Sequence, residues 1–204
     1  QGGDWGSMVT TALTRVDPER CAGIHLTMPI AMPGEEDLAD LTEQEQAALA
    51  AFDHYSKRGS GYAKQQSTRP QTLAYGLTDS PVGQAAWILE KFWAWVDHDG
   101  DPLDVLDRDE LLDNVMLYWL PATAGSSARL YWESFDAVDL EPVTAPTALS
   151  VFPGEIFRTS RRWAQRRYQD LRHFGEPERG GHFAALEQPE AFVAEVRAGL
   201  HTMR

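Results

Sequence analysis

A single cysteine, Cys21, leaves this chain of 204 residues without a partner for an internal disulfide. That fits a reducing compartment, where the ordinary role of such a residue is that of a small buried apolar side chain. No apolar run reaches the ~18 residues of a membrane span and no signal-peptide pattern opens the sequence. A cytoplasmic protein with no membrane segment in this chain is therefore expected. Positive charge is scarce: 18 Lys and Arg against 31 Asp and Glu give a formal net charge of −13. Such a balance disfavours nucleic acid and anionic membranes as partners. The histidines His25, His54, His98, His173, His182 and His201 show no ligand spacing such as HExxH, so no metal is implied. No cofactor is expected, and neither an internal repeat nor a low-complexity segment appears.

What is present is enough apolar mass, 43% of residues with seven tryptophans, for a folded core in one or two domains. The first stretch, QGGDWGS, sets Gly2-Gly3-Asp4-Trp5-Gly6 in the small-x-acid-x-small form of a nucleophile elbow, a sharp strand-to-helix turn that presents a reactive side chain. Serine is the usual occupant. Asp4 needs no deprotonation at neutral pH, and its attack on an electrophilic carbon yields an ester. The plainer reading is a tight turn with Asp4 as a turn or N-cap residue.

The pattern along the chain predicts three parts. Residues 1–35 read as an α/β unit: the elbow, a helix with Met8, Leu13 and Val16 near one face and Pro18 as its stop, and a strand in CAGIHLTMPI buried on both faces. Residues 36–146 read as a helical insertion. Thr42 and Glu45 form a capping box ahead of a helix ended by Gly59 and Gly61. Ser80-Pro81 starts a second helix and Asp107 caps a third, with SSARLYWESF as a further one. In residues 147–204 the α/β pattern resumes: a strand in TALSVF stopped by Pro153-Gly154, a helix in SRRWAQRRYQ, a strand in DLRHF, a glycine-rich loop in GEPERGGHF and a last helix begun by Pro189.

Chemistry gathers after the last two strands. His182 follows a glycine pair that lets the backbone carry an imidazole towards the carboxyl ends of the strands, where in its neutral form it can take a proton from water. Glu155, just beyond a strand end, can fix the histidine's tautomer and stabilise its cation. Asp136, Asp139 and Glu141 are rivals for that role. The order Asp4, Glu155, His182 is the nucleophile, acid, histidine order of the α/β-hydrolase fold. In the insertion, Tyr62 and Tyr131 stand on segments that could cover the elbow, and a phenol suits polarising an oxygen as its bond breaks. By residue type alone Tyr118 and Tyr55 are equal candidates. Trp87, Phe92, Trp93, Trp95, Trp119 and Trp132 either wall an apolar pocket, with Trp93 and Trp119 as its candidates, or form core at helical spacing.

QGGDWGS, SGYAKQQSTRPQTLAYGLTDSPVG, ILEKF, NVMLYW, FPGE and RGGHFAALEQPE, in this order, resemble the microsomal-type epoxide hydrolases of the α/β-hydrolase superfamily. The resemblance implies an α/β fold in which this chain is the carboxy-terminal half of an α/β-hydrolase sheet with an inserted helical cap. It implies that Asp4 opens an epoxide to a covalent hydroxyalkyl ester while Tyr62 and Tyr131 protonate its oxygen. His182, with Glu155 as its partner, activates the water that releases a vicinal diol, and the Trp5 backbone N–H serves the oxyanion hole. The partner implied is a small hydrophobic epoxide. The family's HGxP-type loop and the strands before the elbow have no counterpart in the sequence. They are expected on a separate chain or in the rest of the same protein, with a homo-oligomer also open. The alternatives are an Asp-nucleophile dehalogenase, which shares the ester and the histidine, and a fragment or subunit that is not catalytic without its missing half.

Overall fold

The computed structural model describes residues 1–137 and 140–203. Its elements in chain order are α1 (Trp5–Val16), β1 (Ile24–Leu26), α2 (Glu43–His54), α3 (Gly61–Thr68), α4 (Pro70–Asp79), α5 (Pro81–Trp95), α6 (Arg108–Trp119), α7 (Ala124–Ser134), β2 (Thr147–Ser150), α8 (Arg161–Arg167), β3 (Leu171–Gly175), α9 (Ala184–Glu187) and α10 (Pro189–His201). They fall into two compact units, one of residues Gln1–Asp53 with Leu140–Arg204 and one of His54–Asp139.

The first unit is α/β. Its three strands lie parallel in the order β1-β2-β3, and Gly2 bridges the free side of β1 at Leu26. Side chains alternate across a strand, and here the two faces differ in kind. Ile24, Leu26 and Leu149 enter an apolar cluster with Val143, Trp163 and Tyr168, against which the half-buried Cys21 packs. His25 and Ser150 face the other way, towards α10. Burial on both faces is what a parallel strand requires, and both β1 and β2 are buried throughout. The strands are shorter than the apolar runs that announce them, because pairing stops where the chain turns out of the sheet.

Residues 37–53 join this unit through charge. The Thr42–Glu45 capping box forms reciprocally: Thr42 N–H donates to Glu45 Oε2 at 3.0 Å, and Glu45 N–H donates to Thr42 Oγ1 at 3.2 Å. The same buried Glu45 accepts from Arg162 of α8, which holds its carboxyl down at about 2. Arg166 donates to Asp37 at 3.0 and 3.1 Å. These pairs anchor the start of α2 and the segment before it to α8, and the unit boundaries fall at 53/54 and 139/140, within the expected 36–146 insertion.

The buried face of α1 is not its apolar one. Ser7, Thr11 and Thr14 are its buried side, whereas Val9, Leu13 and Val16 are 55%, 53% and 79% exposed. Small and hydroxylated residues let the helix lie close to the sheet, and Ser7 Oγ donates to the Gly2 carbonyl at 3.1 Å.

The second unit is all helical. Ser80 and Asp107 cap α5 and α6 as their sequence positions suggest. The helical run after the capping box ends at Gly59, its last turn a π-helical segment, Tyr55–Gly59, and after Ser60 the chain continues into α3 and α4, the latter begun by Pro70. Gly61 starts α3 instead of stopping a helix.

Candidate active site

Asp4 occupies the turn between the Gly2 bridge and α1 with φ 49° and ψ −128°, a left-handed backbone that costs a non-glycine residue roughly 1–3 kcal/mol. Its neighbours make the turn possible. A Cβ on Gly2 would lie 2.1 Å from the Gly6 carbonyl oxygen, and one on Gly3 would lie 2.6 Å from Thr27 Oγ1. The Asp4 carboxylate does not cap α1. It points to His182 instead, with Oδ2 at 3.0 Å from Nε2. Trp5 is the first residue of α1, so its backbone N–H belongs to the turn where helical amides face outward.

His182 is held from both sides. Its Nδ1 lies 2.8 Å from Glu155 Oε1, and the same oxygen accepts the Ile156 N–H at 2.7 Å. The His182 and Glu155 side chains are 5% and 2% exposed, against 40% for Asp4. The line therefore runs from a buried acid through a buried imidazole to an open carboxylate. Burial works against a charged imidazole here, but the Glu155 and Asp4 carboxylates outweigh it and raise the His182 pKa from 6.5 to about 10. In the resting site, the imidazolium bridges two carboxylates.

The loop that carries His182 depends on residues on either side of it. Gly180 adopts φ +115°, and a Cβ there would meet the Phe152 ring at 2.7 Å. Gly154 N–H donates to the Gly180 carbonyl at 2.9 Å, which brings the acid and histidine loops together. Glu187, buried in α9, accepts the Gly181 N–H at 2.7 Å and the Phe183 N–H at 2.8 Å, so one carboxylate clamps the backbone on both sides of His182. Sequence reasoning missed Glu187. Its place six residues after a glycine pair, at the end of a short helix, is the only local signal.

A second line behind the sheet, buried at His25 and Ser150 and half-buried at Glu195 and His173, also escaped the sequence reading. His25 Nε2 lies 2.9 Å from Ser150 Oγ, Ser150 donates to Glu195 Oε2 at 2.7 Å, and His173 Nε2 lies 2.8 Å from the same oxygen. It links β1, β2 and β3 to α10, which approaches closely because Gly199 offers no Cβ against Ala148. Burial is the largest cause that lowers the His25 pKa to about 4, so this imidazole is neutral near pH 7.

Of the rivals for the acid's role, Asp136 and Glu141 are exposed and Asp139 lies outside the described residues. Tyr62 and Tyr131 meet within the helical unit, ring centroids 5.8 Å apart and nearly perpendicular. Tyr55 Oη is 3.1 Å from Tyr62 Oη. A cavity of about 550 Å³ in this unit is lined by Tyr62, Trp87 and Lys91 among others, and by neither Trp93 nor Trp119. Trp93 is 57% exposed against His98, and Trp119 is half-buried. Phe92 and Trp95 are core. Among the described residues no cluster of three or more His, Cys, Asp or Glu could hold a metal ion, and no helix is long and apolar enough to cross a membrane.

No family model matches the chain. It is 50% identical over its whole length to "Putative epoxide hydrolase" of Stigmatella aurantiaca, covering 47% of that protein. It is 34% identical over 97% of its length to "Epoxide hydrolase 1" of Sus scrofa, covering 49%. Among solved structures, the juvenile hormone epoxide hydrolase of Bombyx mori superposes with a TM-score of 0.89 at 30% identity, over all of this chain and 54% of that one. The chain spans about half the length of the curated relatives it matches. What it shares with them is the corresponding part of an α/β-hydrolase fold, here rich in helix around a small parallel sheet.

Proposed function

We propose that this chain, related along its whole length to the epoxide hydrolases of the α/β-hydrolase fold, carries the reacting groups of an enzyme that converts a small hydrophobic epoxide to a vicinal diol. The observation that supports it most directly is the hydrogen-bonded line from Asp4 through His182 to Glu155. In the first step an Asp4 oxygen attacks an epoxide carbon opposite the C–O bond. That bond breaks as the ester bond forms, and the departing oxygen takes a proton from Tyr62 or Tyr131. In the second step His182 takes a proton from water and the hydroxide adds to the ester carbonyl, whose developing charge faces the Trp5 N–H. The acyl–oxygen bond then breaks, the leaving alkoxide oxygen takes the proton that His182 removed from water, the diol departs, and the carboxylic proton of Asp4 passes back to the imidazole, which restores the ionised Asp4.

The charge arrangement supports this sequence of events. Both effects by which Asp4 raises the His182 pKa depend on its negative charge. Ester formation removes that charge and with it part of the upward shift, which favours the neutral imidazole once the ester exists. The base becomes available at the stage that needs it. Glu155 stays ionised and balances the charge that His182 regains.

The exposed row Val9, Leu13 and Val16 follows the i, i+4, i+7 spacing of one helix side. An apolar face of this kind is stable when covered. In our reading the rest of an α/β-hydrolase core, on a separate chain or elsewhere in the same protein, covers it, with a second copy of this chain as the competing occupant.

The deciding experiment is intact-mass measurement on His182→Gln after brief exposure to a styrene-oxide-like epoxide, with Asp4→Asn as control. It is run on the chain alone and with the complementary half of the Stigmatella relative added. An added substrate mass that maps to Asp4 and vanishes in the control supports the ester. A folded protein that takes up no mass from several epoxides overturns it, and halide release from halogenated substrates instead assigns a dehalogenase.

A further inference from the structure

We infer that Lys91 and Tyr55 are positioning residues that act through Tyr62, stabilising its phenolate as the proton passes to the epoxide oxygen. The inference rests on the reading of Tyr62 as a proton donor, and deepens it.

The arrangement is built by local sequence within the helical unit. The π-helical turn Tyr55–Gly59 brings Tyr55, seven residues before Tyr62, to a hydroxyl–hydroxyl distance of 3.1 Å. A Cβ on Gly59 would stand 3.1 Å from the Tyr55 ring, so glycine lets that ring lie where it does. On α5, Lys91 and Trp95 are one turn apart and both reach Tyr62. The Lys91 ammonium sits 4.4 Å from the Tyr62 ring centroid and 5.6 Å from that of Trp95, whose own ring meets Tyr62 edge-on at 5.4 Å. The Lys91 side chain is only 12% exposed, and the carboxylate it meets, Glu90 at 2.9 Å, is 63% exposed. Its outer side is thus paired to a solvated acid and its inner side to aromatic faces.

A cation on the ring face favours the anionic phenolate over the phenol, and so does a hydrogen bond donated to the phenol oxygen. With Tyr55 donating to Tyr62, the Tyr62 proton is directed away from Tyr55 and towards an acceptor. The charge left on Tyr62 oxygen after transfer is met by Tyr55 O–H and the Lys91 ammonium. Water in the cavity that Tyr62 shares with Arg58, Glu90 and Lys91 returns the proton. Tyr55, Arg58, Glu90 and Tyr131 are further ionisable groups near this ring, and Lys91 is the one that sets a positive charge over its face among the described contacts.

The test measures ester formation and ester hydrolysis separately, each against pH, in the parent protein and in Tyr62→Phe, Tyr55→Phe, Lys91→Met and Lys91→Arg. It is paired with NMR titration of ring-labelled tyrosine, in which Tyr62→Phe identifies the Tyr62 signal. Lys91→Met is expected to slow ester formation about tenfold and leave ester hydrolysis unchanged. It should also move both the alkaline limb of ester formation and the Tyr62 signal to higher pH, since the cation that eases ionisation is gone. Lys91→Arg restores most of the rate, and Tyr55→Phe shifts the same limb in the same direction. A Lys91→Met protein that slows both steps alike, or leaves the limb and the Tyr62 signal unmoved, overturns the inference and leaves Lys91 a packing residue. Unchanged ester formation in Tyr62→Phe overturns the donor reading itself. It is told apart from failure of the Lys91 inference alone, in which Tyr62→Phe is slow and Lys91→Met is not.

Discussion

The two units hold their polar groups in opposite ways. In the α/β unit, acids and imidazoles sit in hydrogen-bonded lines, buried and fixed by glycines, backbone amides and a clamping carboxylate. In the helical unit, phenols stand half-buried among aromatic rings beside a cavity, held by ring packing and one lysine. The difference fits the roles proposed for the two sets of groups. Charged groups that exchange protons with one another work only at set distances in a dry setting, whereas a neutral donor needs a wall to stand in and a source of acidity.

If the α/β unit carries the essential charge chemistry, removing it should cost far more than any change in the helical unit. Asp4→Asn is expected to lower diol formation by ~10⁴-fold or more, measured as initial rate, because the nucleophile itself is lost. His182→Gln should reduce steady turnover by ~10³-fold while ester formation in a single turnover stays within a few-fold of the parent. A burst of one ester per site would then be seen in rapid-quench experiments, and its absence would set the two carboxylate-bound steps on an equal footing. Glu155→Gln should cost ~10²-fold and bring the His182 pKa down from about 10, readable by imidazole NMR, because one of the two charges that raise it is removed. In the helical unit, Tyr62→Phe and Tyr131→Phe should each slow ester formation by ~10-fold with ester hydrolysis untouched. A phenol variant as damaging as His182→Gln would dissolve the contrast between the units.

A last expected effect is one of stability rather than rate. The folded His25 pKa of about 4 lies below its unfolded value of 6.5. As pH falls, the unfolded chain therefore takes up the proton first, and stability present above pH 6.5 is lost down to about pH 4, by about 3 kcal/mol for this group. Thermal unfolding between pH 7 and pH 4 should show the α/β unit weakening in acid, with His25→Asn flattening the dependence.

What could be read from sequence was what short-range chemistry writes down. The Thr42–Glu45 box, the caps at Ser80 and Asp107 and the doubly buried strands are local patterns with one physical solution each. The glycines around Asp4 and before His182 were legible for the same reason, since a backbone that must turn sharply or pass close to a ring leaves few residue types. Two kinds of feature were not legible. The buried side of α1 was one, because apolar spacing tells which side of a helix is oily, and not which side the sheet will accept; Ser7, Thr11 and Thr14 are the side that is buried. The start of α3 was hidden because Gly61 read as a stop, whereas Gly59 does end the helical run through a π turn at 55–59. The line from His25 to His173 joins residues from four elements, and no spacing along the chain connects them.

The span of the Asp4–His182 contact sets a timetable for synthesis. At about 5–20 residues per second, the carboxylate waits on the order of ten to forty seconds for its imidazole. The sheet waits almost as long, since Ile24 of β1 must pair with Thr147 of β2. The helical unit is contiguous and rich in near-neighbour contacts, so it can fold during that interval on its own chain segment. A nascent chain released before β3 thus carries a finished helical body and an unfinished sheet, with an elbow whose strained Asp4 has nothing yet to hold it.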